Sequence, residues 1–186
     1  MTRPTAPTAD FGSVRHLAVR FVTSLRPGGP SAGDDQWVRI VLSAEEQLLW
    51  RRMSGPDRRH AAGVARHVAA QLALEPTSAG SRPILAAALL HDVGKIDSGL
   101  GTWGRAGITA VAVVVGRQRL APWTHQSGWR GRAGRYLTHD HLGAALLAAA
   151  DSDPLTVAWA AEHHLPPARW TVNREVGEAL KAADDD

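Results

Sequence analysis

From Ile84 to Leu90 the chain reads ILAAALL without one polar side chain, and the run ends directly in His91-Asp92, followed by Val93, Gly94 and Lys95. A run this apolar has to face a core, yet it hands over to two side chains that can each hold a metal. The spacing predicts a helix from Ser81, acting as N-cap, to the His91-Asp92 pair, with Gly94 as its C-terminal stop. That arrangement is intelligible in a helical bundle. The apolar run anchors the helix in the core, the ligands emerge at the bundle's mouth, and the glycine lets the backbone turn away.

The remaining chain divides into helical periods separated by breakers. Residues 1–10 carry proline and threonine without apolar period and read as a disordered lead-in. Val14, Leu17, Ala18, Phe21, Val22 and Leu25 recur at helical spacing up to the cluster Arg26-Pro27-Gly28-Gly29-Pro30. Trp37, Ile40 and Val41 suggest a short helix, and Ser43-x-x-Glu46 has the form of a capping box that opens another through Met53. Ser54-Gly55-Pro56-Asp57 reads as a break, and a longer helix is expected over about 58–74. Thr102 to Val115 is rich in valine, but it is long for a strand and lacks polar/apolar alternation, so it reads as a helix. Residues 117–135 read as an arginine-rich and glycine-rich loop. Helices are expected over about 138–150, about 154–164 with Asp153 as N-cap and Pro154 at the first position, and about 173–184. No segment is a secure strand, so the fold class is all-α: one domain over 11–186 with short N-terminal helices and a motif core over 58–184.

The chain of 186 residues contains no cysteine. Disulfides, thiolate metal sites and a cysteine nucleophile are therefore excluded, and a tight metal site must be built from histidine and carboxylate. No apolar run approaches the ~20 residues that a bilayer requires, and the amino terminus lacks a secretory pattern, so the expectation is a soluble cytoplasmic protein without membrane contact. All of the 21 basic residues except Lys95 and Lys181 are arginine, and the net charge is only +3, which does not by itself demand a nucleic-acid partner.

Placed on these helices, the histidines fall at helix ends. His139 begins one helix; His163 and His164 end the next. The short Asp151-Ser152-Asp153 connection makes those helices antiparallel neighbours, which brings the three imidazoles together. His91 and Asp92 end their own helix, and imidazole beside carboxylate suits hard or borderline divalent cations. His16, His67 and His125 read as ordinary surface or core histidines, and His141 competes with His139 for the ligand position. His67 lies seven residues from His60, ~10 Å along a helix, so the two cannot serve one ion.

In order, His60, His91-Asp92 with Lys95, and Asp184 resemble the H…HD…D signature of the HD-domain superfamily. His139-Asp140-His141-Leu142-Gly143 followed by His163-His164 is similar to the H-x-x-x-G and HH elements of its HD-GYP branch, and Tyr136 to Trp170 resembles small stand-alone HD proteins of GC-rich bacteria. After His164 the chain reads Leu165-Pro166-Pro167-Ala168-Arg169-Trp170, without the D-G-x-G-Y-P that accompanies cyclic dinucleotide hydrolysis. The resemblance implies an HD-type helical bundle and a metal-dependent phosphohydrolase acting on a nucleotide or another phosphate ester. It implies one or two divalent ions (Mn, Fe, Mg, Co, Ni or Zn): one held by His60, His91, Asp92 and Asp184, a second by His139, His163 and His164 with Asp92 bridging. A metal-activated hydroxide would attack the phosphoryl group, Lys95 would contact the phosphate, and Arg105 or Arg135 could clamp it bidentately.

Two other function classes share these residues. Some HD proteins activate oxygen at a di-iron centre with the same ligands, and a regulatory or nucleic-acid-binding protein could retain a metal for stability only. Arg117, Arg119, Arg130, Arg132 and Arg135 with Trp123 and Trp129 read as a solvated loop, as a lid over the metal site, or as a surface that stacks bases and takes phosphates. Gly29-Pro30-Ser31-Ala32-Gly33 matches G-x-S-x-G, but no strand precedes it, so it reads as loop.

Overall fold

The computed structural model describes residues 28–185. The expected lead-in over 1–10, the helix near 11–25 and His16 lie outside the described residues, as do the side chains of Arg105 and Arg117. The described chain is all-α, with no strand among the described residues. Its helices are α1 (Ala32–Val41), α2 (Ala44–Arg52), α3 (Gly55–Gln71), α4 (Arg82–Leu90), α5 (Thr102–Val115), α6 (Arg117–Leu120), α7 (Gly128–Leu137), α8 (His139–Ala149), α9 (Pro154–Glu162) and α10 (Arg174–Asp185). Short 3-10 turns occupy Val93–Ser98, Ala121–His125 and Pro167–Arg169. No described helix is long and apolar enough to cross a membrane.

Local chemistry sets most boundaries. Ser31 and Ser54 each accept a bond from a backbone N–H three residues on, and Ser43 and Glu46 complete a reciprocal capping box, with Ser43 N–H donating to Glu46 at 2.9 Å. The expected break falls at Met53-Ser54, where α2 has ended, and Ser54-Gly55-Pro56-Asp57 also starts α3, because Ser54 caps and Pro56 takes a first-turn position where its missing N–H costs nothing. Ser81 occupies the N-cap position as expected, its carbonyl accepting from Leu85 N–H, but it has helical dihedrals and its side chain makes no capping bond. Asp153 caps α9 as expected, accepting from Leu155 N–H at 2.9 Å.

Helix α4 is the axis of the main core. Leu85 through Leu90 are all buried, and its alanines let neighbouring helices approach closely. Helices α3 and α9 flank it, α8 lies antiparallel to α9 across the Asp151 turn, and α10 packs on α3. Val38, Val64, Val68, Leu147, Trp159 and Leu180 close this core from the surrounding helices. Ile108, Leu120, Ala133 and Leu137 form a second, smaller core under Trp123 and Tyr136, which gives α5 to α7 a packing unit of their own.

Residues 117–135 are therefore not the expected loop but two helices and a 3-10 turn. The glycines that argued for a loop serve contact instead: a Cβ on Gly131 would overlap the carbonyl of Gln126, and one on Gly134 would overlap the backbone of Trp123 and Thr124. Glycine at i and i+3 flattens one face of α7 so that the Ala121–His125 turn lies against it.

Candidate metal centre

Gly94 does not end α4 through a left-handed dihedral, as expected; α4 ends at Leu90, and the positive φ falls at Gly99, after the 3-10 turn. The role of Gly94 is close approach. A Cβ there would overlap the His139 carbonyl oxygen and come within 2.6 Å of Gly143 N, while a Cβ on Gly143 would lie 3.1 Å from Gly94 N. Two glycines thus let the start of α8 rest on the turn that follows Asp92, which puts His139 Nε2 3.2 Å from Asp92 Oδ1.

Three imidazoles are aimed by one device. His91, His139 and His163 each place Nδ1 on a carbonyl three residues back: Ala88 at 2.9 Å, Tyr136 at 2.6 Å and Ala160 at 3.0 Å. Those carbonyls lie in the last turns of α4, α7 and α9, where no backbone N–H remains to satisfy them. Donation from Nδ1–H caps the helix and turns Nε2 inward, where it could serve as a ligand atom. Tyr136 also stacks on His139, with ring centroids 5.8 Å apart and planes 23° apart.

The inward atoms form two groups, each with its ligand atoms within 4.8 Å of one another: His60, His91 and Asp92, and His139, His163 and His164. Asp184 joins the first, with Oδ1 3.0 Å from His60 Nε2 and 3.4 Å from His91 Nε2. Asp92 lies between the groups. Its Oδ1 faces His139 and, at 3.9 Å, His163, while Oδ2 lies 3.5 Å from His91 and carries the Lys95 ammonium. His91, Asp92, His139, His163 and Asp184 are buried, whereas His60 is half-buried and His164 exposed, so the centre opens to solvent along that rim.

All seven residues expected as ligands therefore meet in one place. His141 and His67 are exposed and outside it. Lys95 is on the Asp92 carboxylate rather than free in the opening. Arg135 is half-buried on α7, its guanidinium beside Gly131, and Arg105 falls outside the described side chains. The sequence reading missed Tyr136 as a brace for His139. It also missed Glu162, whose buried carboxylate accepts from Thr171 N–H at 2.7 Å and from its hydroxyl at 2.6 Å, tying down the chain beyond His163-His164. A glutamate directly before two histidines was the available signal.

The charges of the cluster are strongly coupled. Burial alone would lower the His91 pKa, but the Asp92 and Asp184 carboxylates overcome it and raise the group to about 10. Burial, reinforced by His91 and His139, pushes His163 down to about 3. Asp92 is held well below the carboxylate range, where Lys95 and His91 outweigh its burial. Most informative are two orphans: Nε2 of His91 and Nε2 of His163 are buried and have no hydrogen-bond partner, since the nearest carboxylate oxygens lack bonding geometry. Leaving such an atom unpaired costs ~1–3 kcal/mol. Two of them, one in each group, with Asp92 between, fit the donor set for divalent ions. Comparisons with family models, with curated proteins and with solved structures gave no match.

Proposed function

We propose that this chain is a metal-dependent phosphohydrolase of the HD type, acting on a nucleotide or another phosphate ester. The observation that carries the reading is the pair of unpartnered Nε2 atoms on His91 and His163, one in each group. The ordered H…HD…D residues with the added histidines, which resemble the HD-domain superfamily, support it.

His60, His91, Asp92 and Asp184 would hold one ion, and His139, His163 and His164 a second, with Asp92 shared. Bound divalent ions supply Lewis-acid stabilisation of phosphoryl oxygens and lower the pKa of a bound water. The chain's own part is positional. The i−3 carbonyl bonds turn each Nε2 toward the centre, Lys95 orients Asp92 while bringing a positive charge beside the opening, and the exposed rim at His60 and His164 admits a substrate. Arg105 and Arg135 remain the arginines proposed for the phosphate.

Elemental analysis of protein purified without a metal-affinity tag, followed by a phosphoester panel with the metal found, tests the proposal. Up to two divalent ions per chain and phosphate release abolished by Asp92→Ala are expected. Turnover that requires oxygen and iron would replace hydrolysis by di-iron oxygenation, and bound metal with no turnover would replace it by a regulatory role. A cytoplasmic location goes with the same proposal.

A further inference from the structure

The surface beside the metal centre is unusual in charge. From Ser98 to His139 the chain contains six arginines and neither an acidic residue nor a lysine, so this stretch carries +6 in a chain whose total is +3. The structure folds it as the packing unit of α5 to α7, leading directly into His139. Arg119, Arg130 and Arg132 are exposed on it. Trp129, 59% exposed, is the most exposed large apolar side chain among the described residues. It meets Trp123 edge to face, with ring centroids 5.6 Å apart, and the Arg130 guanidinium lies over the Trp123 ring at 5.5 Å. The flattened face of α7 at Gly131 and Gly134 takes the turn that carries Trp123 in close contact, so both indoles stand on the same packed unit.

We infer that this face is a stacking platform for single-stranded nucleic acid, which makes a polynucleotide strand, rather than a free nucleotide, the substrate of the adjacent centre. Indole faces accept any base, while guanidiniums on the same helix take the flanking phosphates. The geometry provides a track. Trp129 stands in the first turn of α7, whose last residue, Leu137, lies ~12 Å further along the axis and just before Thr138 and His139; Arg132 lies between them beside Gly99 at the end of the Lys95 turn, and Tyr136 abuts His139. A strand stacked at Trp129 thereby has its backbone led toward Asp92. Anionic lipid is the competing partner for arginine and tryptophan, but it would not explain why the platform is continuous with a buried cluster of cation ligands. The binding half stands on this surface alone; the substrate half rests on the metal-centre proposal.

The test is anisotropy of a fluorescein-labelled single-stranded oligonucleotide with the full chain in EDTA, which separates binding from hydrolysis. Salt-sensitive binding is expected. Trp129→Ala should weaken it about 5- to 150-fold, the loss of one stacked base. Arg130→Ala with Arg132→Ala should flatten the slope of log affinity against log salt by about 1.4. All three side chains are exposed, and circular dichroism checks that the variants keep their helices. No binding, binding indifferent to these substitutions, or capture by phosphatidylserine vesicles in its place would each overturn the inference. Hydrolysis of p-nitrophenyl phosphate by a protein that does not bind the oligonucleotide would leave the metal-centre proposal standing and sink this one. Binding without hydrolysis of the oligonucleotide or of any other ester would leave the binding half standing and sink the metal-centre proposal together with the substrate half.

Discussion

Replacing Gly94 by alanine tests whether the centre depends on backbone contact between α8 and the turn after Asp92. The added Cβ would overlap the His139 carbonyl oxygen and sit 2.6 Å from Gly143 N and 2.8 Å from the His139 carbonyl carbon. Ordinary packing requires more than 3 Å, and all these obstacles are backbone, so relief has to come from moving the start of α8 away by ~1 Å or more. Overpacking of this kind costs ~1–3 kcal/mol, about 2–12 °C in Tm for a chain of this size. The same displacement pulls His139 Nε2 from Asp92 Oδ1, 3.2 Å away in the native arrangement, and so opens the second group while leaving His60, His91 and Asp184 in place. Elemental analysis should find one ion lost of two, and calorimetry a lowered Tm. Gly63→Ala is the internal control: it lies within α3 with nothing near its absent Cβ, so helix propensity should raise stability by ~0.5–1 kcal/mol. A Gly94→Ala protein with full metal content and unchanged Tm would refute the close-approach argument.

Asp184→Asn should lower metal affinity and turnover together, whereas Asp185→Asn should be silent, because Asp184 is buried against His60 and His91 while Asp185 is exposed and bonded to Lys181; metal titration that fails to separate the two would remove Asp184 from the ligand set. Metal affinity should rise with pH, about tenfold per unit between roughly pH 7 and 9, because His91 keeps a proton up to about 10 that an ion has to displace, while His163, at about 3, is already neutral; affinity flat across that range in titration calorimetry would count against His91 as a ligand. The metal-free protein should lose stability as pH rises toward 10, when His91 gives up its favourable charge, and also as pH falls from 6.5, when the unfolded chain protonates His163 and the native one does not; a Tm that is flat on both sides would contradict these assignments. Glu162→Gln should loosen the Thr171 tether and reduce metal occupancy at His163-His164 without unfolding the main core; unchanged occupancy would limit Glu162 to a structural role.

What the sequence made legible was whatever depends on local rules. The capping box at Ser43, Asp153 before Pro154, and the apolar run into His91-Asp92 all follow from neighbours within a few residues, and the helices appear where those rules put them. The ordering of histidines at helix ends was legible too, because a short turn at Asp151 leaves adjacent helices little choice but to run antiparallel. What failed was the reading of glycine. Gly94 looked like a helix stop and Gly131 and Gly134 like loop, since a sequence shows only that a side chain is missing and not what occupies its space. Each is filled by backbone from elsewhere in the chain: His139 for Gly94, Gln126 for Gly131, Thr124 for Gly134. Ser81 stands where the rule puts it, at the N-cap position, but its backbone is already helical and its side chain makes no capping bond.

The fold also explains why ligands gather here and not elsewhere. A helix end is where backbone carbonyls lack partners, and an imidazole placed there can pair Nδ1 with its own helix while Nε2 remains available. Bringing the ends of α4, α7 and α9 to one point therefore produces three oriented ligands and caps three helices, with no added polar residue. The arrangement has a cost, since it buries Nε2 atoms that nothing in the protein satisfies. Lys95 and a protonated His91 offset part of the carboxylate charge, but neither can reach His163, which is left neutral, buried and unpartnered. Two divalent ions with Asp92 shared between them would satisfy one orphan each. That asymmetry, in which the protein can neutralise one side of its own cluster and not the other, is the physical reason to treat His139, His163 and His164 as ligands rather than as core histidines.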